Sequence, residues 1–545
     1  MKKNERLIES IAVFIFFSVI VTLMNLNNQD FSYDRIWVFH MMQKIANGDL
    51  IYSNINVIVG PIFYMLGGLA FKIFGISFFV YDCLGGILYG VFATISYNIC
   101  KEINKENDKM INLLMIIVIY YFSKVLCLAS YNVLAISFIM LAMLIEIRKC
   151  KKEKTTFSNI LIGVFLSFAF FTKQTVGGIA IVVTAVISLV YGILIKKKNP
   201  IRELLEKMLG FFIIAILIII SMAIFGNLLD YIDLCFGSIL EFGQNNFSMI
   251  KVNFYLSFMT SLLLAGPMIF KLRKLDKELL IIVAYTIASA FFVIPIANSY
   301  HAHLATFMIW FILLKIINLL KEFGKTNIVK LLLTIPLILL VVSIYTLGEE
   351  NVRTLEEKEL LNSIIILNIS ITLIDITLMV IYGVGIIKEN TDFIKNGFIF
   401  FSVLIILLLP LGCIKNLDGK ITREGLEIYA NHGFENDNLE RINEVIEYIR
   451  KKEYEGYNVK VISWDASEYM VPMNRNNNKY DLLLNGNLGY KGVEKILEEM
   501  KLWENTIILQ NKERFWQESE KIRDYVSKNC IKIDEICGVE VYLKE

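Results

Sequence analysis

Long apolar runs joined by short polar connections fill the first 414 residues, and beyond 415 the pattern turns polar and alternating. The runs lie at 7–26, 78–100, 110–124, 126–146, 157–171, 175–195, 205–226, 251–270, 279–297, 303–320, 328–346, 361–387 and 396–414. Since ~20 apolar residues cross a hydrocarbon core, they predict about thirteen transmembrane helices. The first run is too long for a signal-peptide core and lacks a small-residue cleavage site, so it reads as a retained anchor. Between the first two runs, Tyr33 to Ala46 has the pattern of an amphipathic surface helix ending at Asn47-Gly48, with Ser32 as its N-cap. Val57 to Gly75 is also apolar. It reads as a juxtamembrane or re-entrant element, broken by Gly60-Pro61 and Gly67-Gly68.

Residues 415–545 are long enough for a domain of their own. Helical patterns at 438–452, 491–502 and 513–528 alternate with strand patterns at 458–463, 480–484 and 506–509 and a final pair within 531–543. Such alternation predicts an α/β fold with an at least partly parallel sheet.

Charge then orients the bundle, because cytoplasmic loops are rich in Lys and Arg. With Lys2, Lys3 and Arg6 inside, the later inside loops carry Lys101, Lys105 and Lys109; Arg148 to Lys154; Lys196 to Arg202; Lys271 to Lys277; Lys321 and Lys325; and Lys388 and Lys395. Counting Val57 to Gly75 as a span would invert every one of these loops. The odd number of spans places the C-terminal domain outside the cell.

Composition adds little beyond class. Hydrophobic residues make up 56% and charged ones 19%, as a polytopic helical membrane protein requires. No basic patch with interleaved aromatics points to nucleic acid. The eight cysteines show no CxxC or Cys/His zinc spacing; Cys530 and Cys537 could pair or stay free. Abundant Lys, Asn and Ile beside only seven Pro fit an AT-rich bacterial genome, and hence a bacterial plasma membrane.

The chemistry-bearing residues fall on the outward side. Asp34 lies in the first turn of the surface helix, where the helix dipole favours a carboxylate. It is either a capping-turn acid or a general base for a hydroxyl nucleophile. Asp30, four residues earlier, is the backup. Arg35 and His40 face phosphate or lipid head groups. Lys173, in Phe170-Phe-Thr-Lys173-Gln174, is an outward lysine at a tight turn, able to neutralise a phosphate or to snorkel; Lys124 is its counterpart at a neighbouring hairpin. His301 and His303 open the tenth span, where a helix N-terminus can take an anion. Asp230, Asp233 and Glu241, in the loop 226–247, could bind an acceptor or a divalent cation, or simply be solvated. Asp375 lies mid-span. Asn485-Gly-Asn-Leu-Gly489 is half of a phosphate-binding loop without its full spacing.

Taken together, these motifs resemble the GT-C class of membrane glycosyltransferases, and within it the protein O-mannosyltransferases and aminoarabinose-lipid A transferases. The resemblance rests on Tyr33-Asp34-Arg35 and the helix to Gly48, on Gly60-Pro-Ile-Phe-Tyr64 through Phe71-Lys-Ile-Phe-Gly75, on Phe171-Thr-Lys173-Gln174, and on Ser299-Tyr-His301-Ala-His303-Leu. It covers the membrane part, about 415 residues. Asp-Arg stands where many members have Asp-Glu, Val59-Gly60-Pro61 replaces a Lys-Pro-Pro, and a His-containing stretch replaces Arg-Tyr.

The resemblance implies transfer of a sugar from a polyprenyl-phosphate donor, with inversion, to a hydroxyl of a glycan, lipid or protein. Asp34 would be the base. Lys173 and a histidine of the pair His301 and His303 would hold the donor phosphate. From the residues alone, Arg35 is a further candidate for that phosphate, and Asp30, Asp230, Asp233 and Glu241 are candidates for the acceptor. A transporter or lipid-linked saccharide flippase is the alternative, and a non-catalytic assembly protein a third.

Overall fold

The computed structural model describes residues 3–26, 33–104, 112, 116, 129–151, 156–194, 200–237, 277–290, 311–312, 314–315, 426–429, 436–475, 480–481, 483–484, 487–515 and 518–545. Asp30, Ser32, Lys124, Glu241, His301, His303 and Asp375 lie outside these residues, as do most of the spans expected beyond 238.

Helix α1 (Lys3–Leu26) runs antiparallel to α4 (Phe78–Ile103). Glu9, near the start of α1, pairs with Lys101 near the end of α4 and accepts a hydrogen bond from the Tyr97 hydroxyl at 3.1 Å. The end of α1 and the start of α4 therefore lie on one side, and residues 27–77 leave and return there. This is the arrangement that the loop charges predict. A Cβ on Gly86 or Gly90 of α4 would collide with Ser18 and Thr22 or with Phe14 and Ser18 of α1. These small residues let the two backbones touch, a usual device where lipid supplies no hydrophobic drive.

Helices α5 (Tyr131–Lys151), α6 (Thr156–Thr172), α7 (Gln174–Leu194), α8 (Pro200–Ile224) and α10 (Lys277–Ala290) complete the described bundle, with the short α9 (Leu228–Ile232) and a π turn at Asp233–Gly237 after α8. Among the described residues, Asn4–Leu26, Phe78–Ile103 and Pro200–Ile224 are long and apolar enough to cross a membrane. Toward the end of α5 away from Tyr131, Glu146 of α5 and Glu203 of α8 form buried salt bridges with Lys149 and Lys207.

Two helices sit in the first loop: α2 (Tyr33–Ala46), with the expected bounds but buried along nearly all of Arg35 to Lys44 instead of lying amphipathic at the surface, and α3 (Ile62–Phe74). Gly48, with φ +105°, ends the α2 segment in a conformation that glycine adopts freely. Gly60-Pro61 does precede a helix, but Gly67-Gly68 does not break it. The pair lies on the inner face of α3, where a Cβ would collide with Met42 or Ile45 of α2. On the opposite face, Met65, Leu66, Leu69 and Ile73 are exposed.

The C-terminal part contains α11 (Asn436–Tyr454), β1 (Asn458–Val461), α12 (Ala466–Met473), α13 (Gly492–Lys501), β2 (Thr506–Asn511), α14 (Glu520–Asn529), β3 (Ile531–Ile536) and β4 (Val539–Lys544). The sheet order is β1-β2-β4-β3; β1 and β2 are parallel, and β4 is antiparallel to both its neighbours. The expected strand at 480–484 is absent from the sheet. Leu484 makes only an isolated bridge to Glu518. Between β1 and this segment the chain forms α12, with Pro472 in the last turn before Asn474 adopts φ +49°. Cys530 and Cys537 are both free. They flank the six residues of β3, so at ~3.3 Å per residue they stand about 20 Å apart, beyond disulfide reach.

Candidate functional site

The site gathers where α2, α3, α4, α5 and the α6–α7 turn meet. Asp34, in the first turn of α2, is open to solvent, yet the protein crowded about its carboxyl pushes its pKa above the ordinary carboxylate value. No described side chain hydrogen-bonds to it. Its charge acts on the phenols of Tyr64, Tyr81 and Tyr131, which come from three different helices. The Tyr64 and Tyr131 rings are 6.5 Å apart, and Phe63 packs edge-on to Tyr131 at 6.0 Å.

Lys173 lies just beyond Tyr131. It occupies the single non-helical position between α6 and α7 and is 4% exposed. Its Nζ donates to Asn132 Oδ1 at 2.6 Å and sits 5.3 Å from the centre of the Tyr131 ring. Among the described residues no carboxylate pairs with it. Burial alone lowers its pKa to about 7. A buried lysine without a counter-charge is held at a cost that an incoming anion removes.

The neighbouring Gln174 fixes this turn in the loop. Its Nε2 donates to the Ile58 carbonyl at 2.5 Å and the Cys235 carbonyl at 2.9 Å. Gly60 lies directly on the Phe171 backbone, with no room for a Cβ. Gly60→Ala is therefore expected to cost about 1–3 kcal/mol of stability, the usual penalty of overpacking, read as a lower unfolding temperature in detergent. An unchanged melting curve would mean that the loop does not bear on the turn.

The other predicted residues are placed differently. Arg35, expected at the donor phosphate, is buried and donates to both oxygens of Asp82 at 2.8 Å. Asp82, on α4, went unnoticed in the sequence. Asp230 accepts from Ser53 Oγ at 2.7 Å. Asp233 accepts from the Tyr490 backbone N–H and from Lys495 Nζ, both at 2.9 Å. The loop around Gly489 thus receives a carboxylate from the membrane part, and Gly489, with φ +80°, has no room for a Cβ against it. Among the described residues no three His, Cys, Asp or Glu side chains gather in a way that could hold a metal ion.

The face of α2 turned from the bundle carries the C-terminal part. Trp37 Nε1 donates to the Trp464 carbonyl at 2.8 Å, and Gln43 donates to the Val471 carbonyl at 3.1 Å and to Asn474 Oδ1 at 2.9 Å. Lys44 pairs with Asp481. His40, which sequence places at phosphate or head groups, is fully buried between Ser467 Oγ and the Arg475 carbonyl, each at 3.0 Å. Burial, the largest influence, lowers its pKa. The neutral ring suits both contacts, with Nε2–H donating to the carbonyl and Nδ1 accepting from the hydroxyl.

No protein-family model and no curated sequence matches the chain. Among solved structures, ArnT from Cupriavidus metallidurans bound to undecaprenyl phosphate superposes with a TM-score of 0.56 at 9% identity, over 98% of this chain and 97% of that one. This chain has the ArnT fold. The apo state of ArnT superposes over the same shares, with a TM-score of 0.55. The Archaeoglobus fulgidus oligosaccharyltransferase, at a TM-score of 0.38 and 11% identity over 92% of this chain and 68% of that one, is too distant to bear on the fold.

Proposed function

We propose that this protein is a membrane glycosyltransferase of the GT-C class, moving a sugar from a polyprenyl-phosphate donor to a hydroxyl acceptor. In this reading it sits in a bacterial plasma membrane with about thirteen spans, and its C-terminal α/β domain faces outward. The observation that carries the proposal is Asp34, a carboxyl with no side-chain hydrogen bond among the described residues, whose charge acts on Tyr131, the ring beside which Lys173 lies buried with no carboxylate partner among the described residues. The likeness to ArnT, a protein solved with undecaprenyl phosphate bound, supports a polyprenyl donor.

The residues divide the reaction between them. Asp34 accepts the proton of the acceptor hydroxyl as its oxygen attacks the anomeric carbon from the face opposite the phosphate. The bond from that carbon to the phosphate oxygen breaks, and polyprenyl phosphate leaves with the electron pair. Lys173 neutralises the charge that develops on it. His301 and His303 are assigned to the same phosphate from their motif. The phenols of Tyr64 and Tyr131 offer aromatic faces and hydroxyls to the sugar, while the Tyr81 hydroxyl donates to the Ala129 carbonyl at 3.1 Å. Asp30 and Glu241 remain assigned to the acceptor side; Asp230 and Asp233 support the walls.

Purified protein offered a panel of polyprenyl-phosphate hexoses, with cell-envelope extract as acceptor, is expected to release polyprenyl phosphate and form a glycosylated product. Substrate movement across sealed vesicles without any bond cleavage would replace this reading with a transporter.

A further inference from the structure

Asn132 stands in the first turn of α5, and both its backbone and its side chain are held. Its backbone N–H donates to Ser130 Oγ at 3.1 Å, the bond by which a serine N-cap closes the start of a helix. Its side chain is buried and accepts from the Lys173 ammonium at 2.6 Å. An ammonium has donors only, so the amide must turn its oxygen toward it. Tyr131, the preceding residue, sets its ring 5.3 Å from the same nitrogen. Two successive residues of α5 therefore hold Lys173.

Neither neighbour cancels the charge. An ammonium offers three N–H groups, and Asn132 takes one of them. An aspartate in the same place would be the same size, would reach the same nitrogen and would add Coulomb attraction. It would also neutralise the lysine. For fastening the α6–α7 turn to α5, a carboxylate would serve at least as well as an amide. For leaving a buried cation to an incoming anion, only a neutral acceptor serves.

We propose that Asn132 is a positioning residue for the donor phosphate: it aims the Lys173 ammonium with a neutral acceptor and keeps its positive charge for the lipid-linked anion. This inference rests on the assignment of Lys173 to that phosphate. The titratable groups around Lys173 leave its charge unanswered. The Tyr131 phenol of α5 is beside it, and Tyr64 of α3 lies next to Tyr131, with ring centres 6.5 Å apart. The charge of Asp34, on α2, acts on Tyr131. Cys235, in the turn after α9, meets the neighbouring Gln174 through its carbonyl, and burial pushes its thiol up. Among the described residues, burial alone acts on the lysine itself, lowering its pKa to about 7.

The test is binding of undecaprenyl phosphate, in detergent, to the full-length protein as a function of pH, comparing wild type with Asn132→Asp, Asn132→Leu and Lys173→Met. The probe's own ionisation is common to all four and cancels. Wild-type binding is expected to weaken as pH rises through about 7, where the lysine loses its charge. Asn132→Asp is expected to bind about 10- to 100-fold more weakly below that pH, the worth of a hydrogen bond to a charged group. Its further weakening should set in at higher pH, because a carboxylate favours the ammonium. Asn132→Leu withdraws an acceptor from the charged form, so its weakening should set in at lower pH than in wild type. That variant decides the question if Asn132→Asp does not fold. Weaker binding with onsets superimposed on that of wild type would make Asn132 merely structural and overturn the proposal. Wild-type binding by Asn132→Asp while Lys173→Met binds poorly would overturn it too. Unchanged binding by Lys173→Met would be a different failure, removing Lys173 from the phosphate and this inference with it.

Discussion

Asp34→Asn is expected to lose about 100- to 10,000-fold in sugar transfer, the usual contribution of a positioned base. The amide keeps the size of the side chain but cannot take a proton. Since no described side chain hydrogen-bonds to Asp34, the substitution disturbs no described contact, and the protein should elute and melt as wild type does. The wild-type profile should carry an acid limb above ~4, the ordinary carboxylate value, because the crowded carboxyl holds its proton to higher pH. Activity is lost as pH falls through that limb, when Asp34 becomes protonated. Transfer by Asp34→Asn at the wild-type rate would move the base elsewhere, with Asp30 the first candidate.

Lys173→Met should be the second severe variant. Methionine fills similar space without the charge. Loss of one electrostatic stabiliser of the leaving group is expected to cost about 100- to 1,000-fold in kcat. The pH dependence distinguishes charge from packing. In the empty site burial holds the lysine near 7, so its charge is lost as pH rises through that value. A phosphate arriving beside it favours the charged form, and donor binding takes up a proton. Donor KM should therefore be flat below about pH 7 and rise above it, and the rise should vanish in Lys173→Met. A KM that follows the same curve in both proteins would leave Lys173 a structural lysine.

Much of this arrangement was legible from local pattern. The bounds of α2 follow from Ser32 before it and Asn47-Gly48 after it, and the conspicuous lysine at a tight turn, Lys173, is buried with no carboxylate partner among the described residues. The charge rule kept Val57 to Gly75 from being counted as a span, and the ion pair of Glu9 with Lys101 accords with that. What local pattern could not supply was partnership across the chain. Arg35 and Asp82 are 47 residues apart, and nothing near either residue announces the other. Trp37, His40 and Lys44 repeat at helical spacing, and of these His40 reads as facing phosphate or lipid head groups. A stripe mixing an indole, an imidazole and an amine also suits a polar protein interface, and here its partners lie some 427 residues away. The half phosphate loop misled in a related way, because the anion it receives is the carboxylate of Asp233. The helix 466–473 had no element assigned to it from sequence; it is short, and Pro472 sits in its last turn.

The seam along α2 limits how this protein can be rebuilt. Buried polar groups are paired across it, Trp37 with Trp464, His40 with Ser467 and Arg475, Lys44 with Asp481. A chimera that grafts a foreign C-terminal region onto this bundle would leave several of them dry and unmatched, on the same helix that holds Asp34. The C-terminal region is not an interchangeable cassette: substitutions on one side of the seam must be answered on the other.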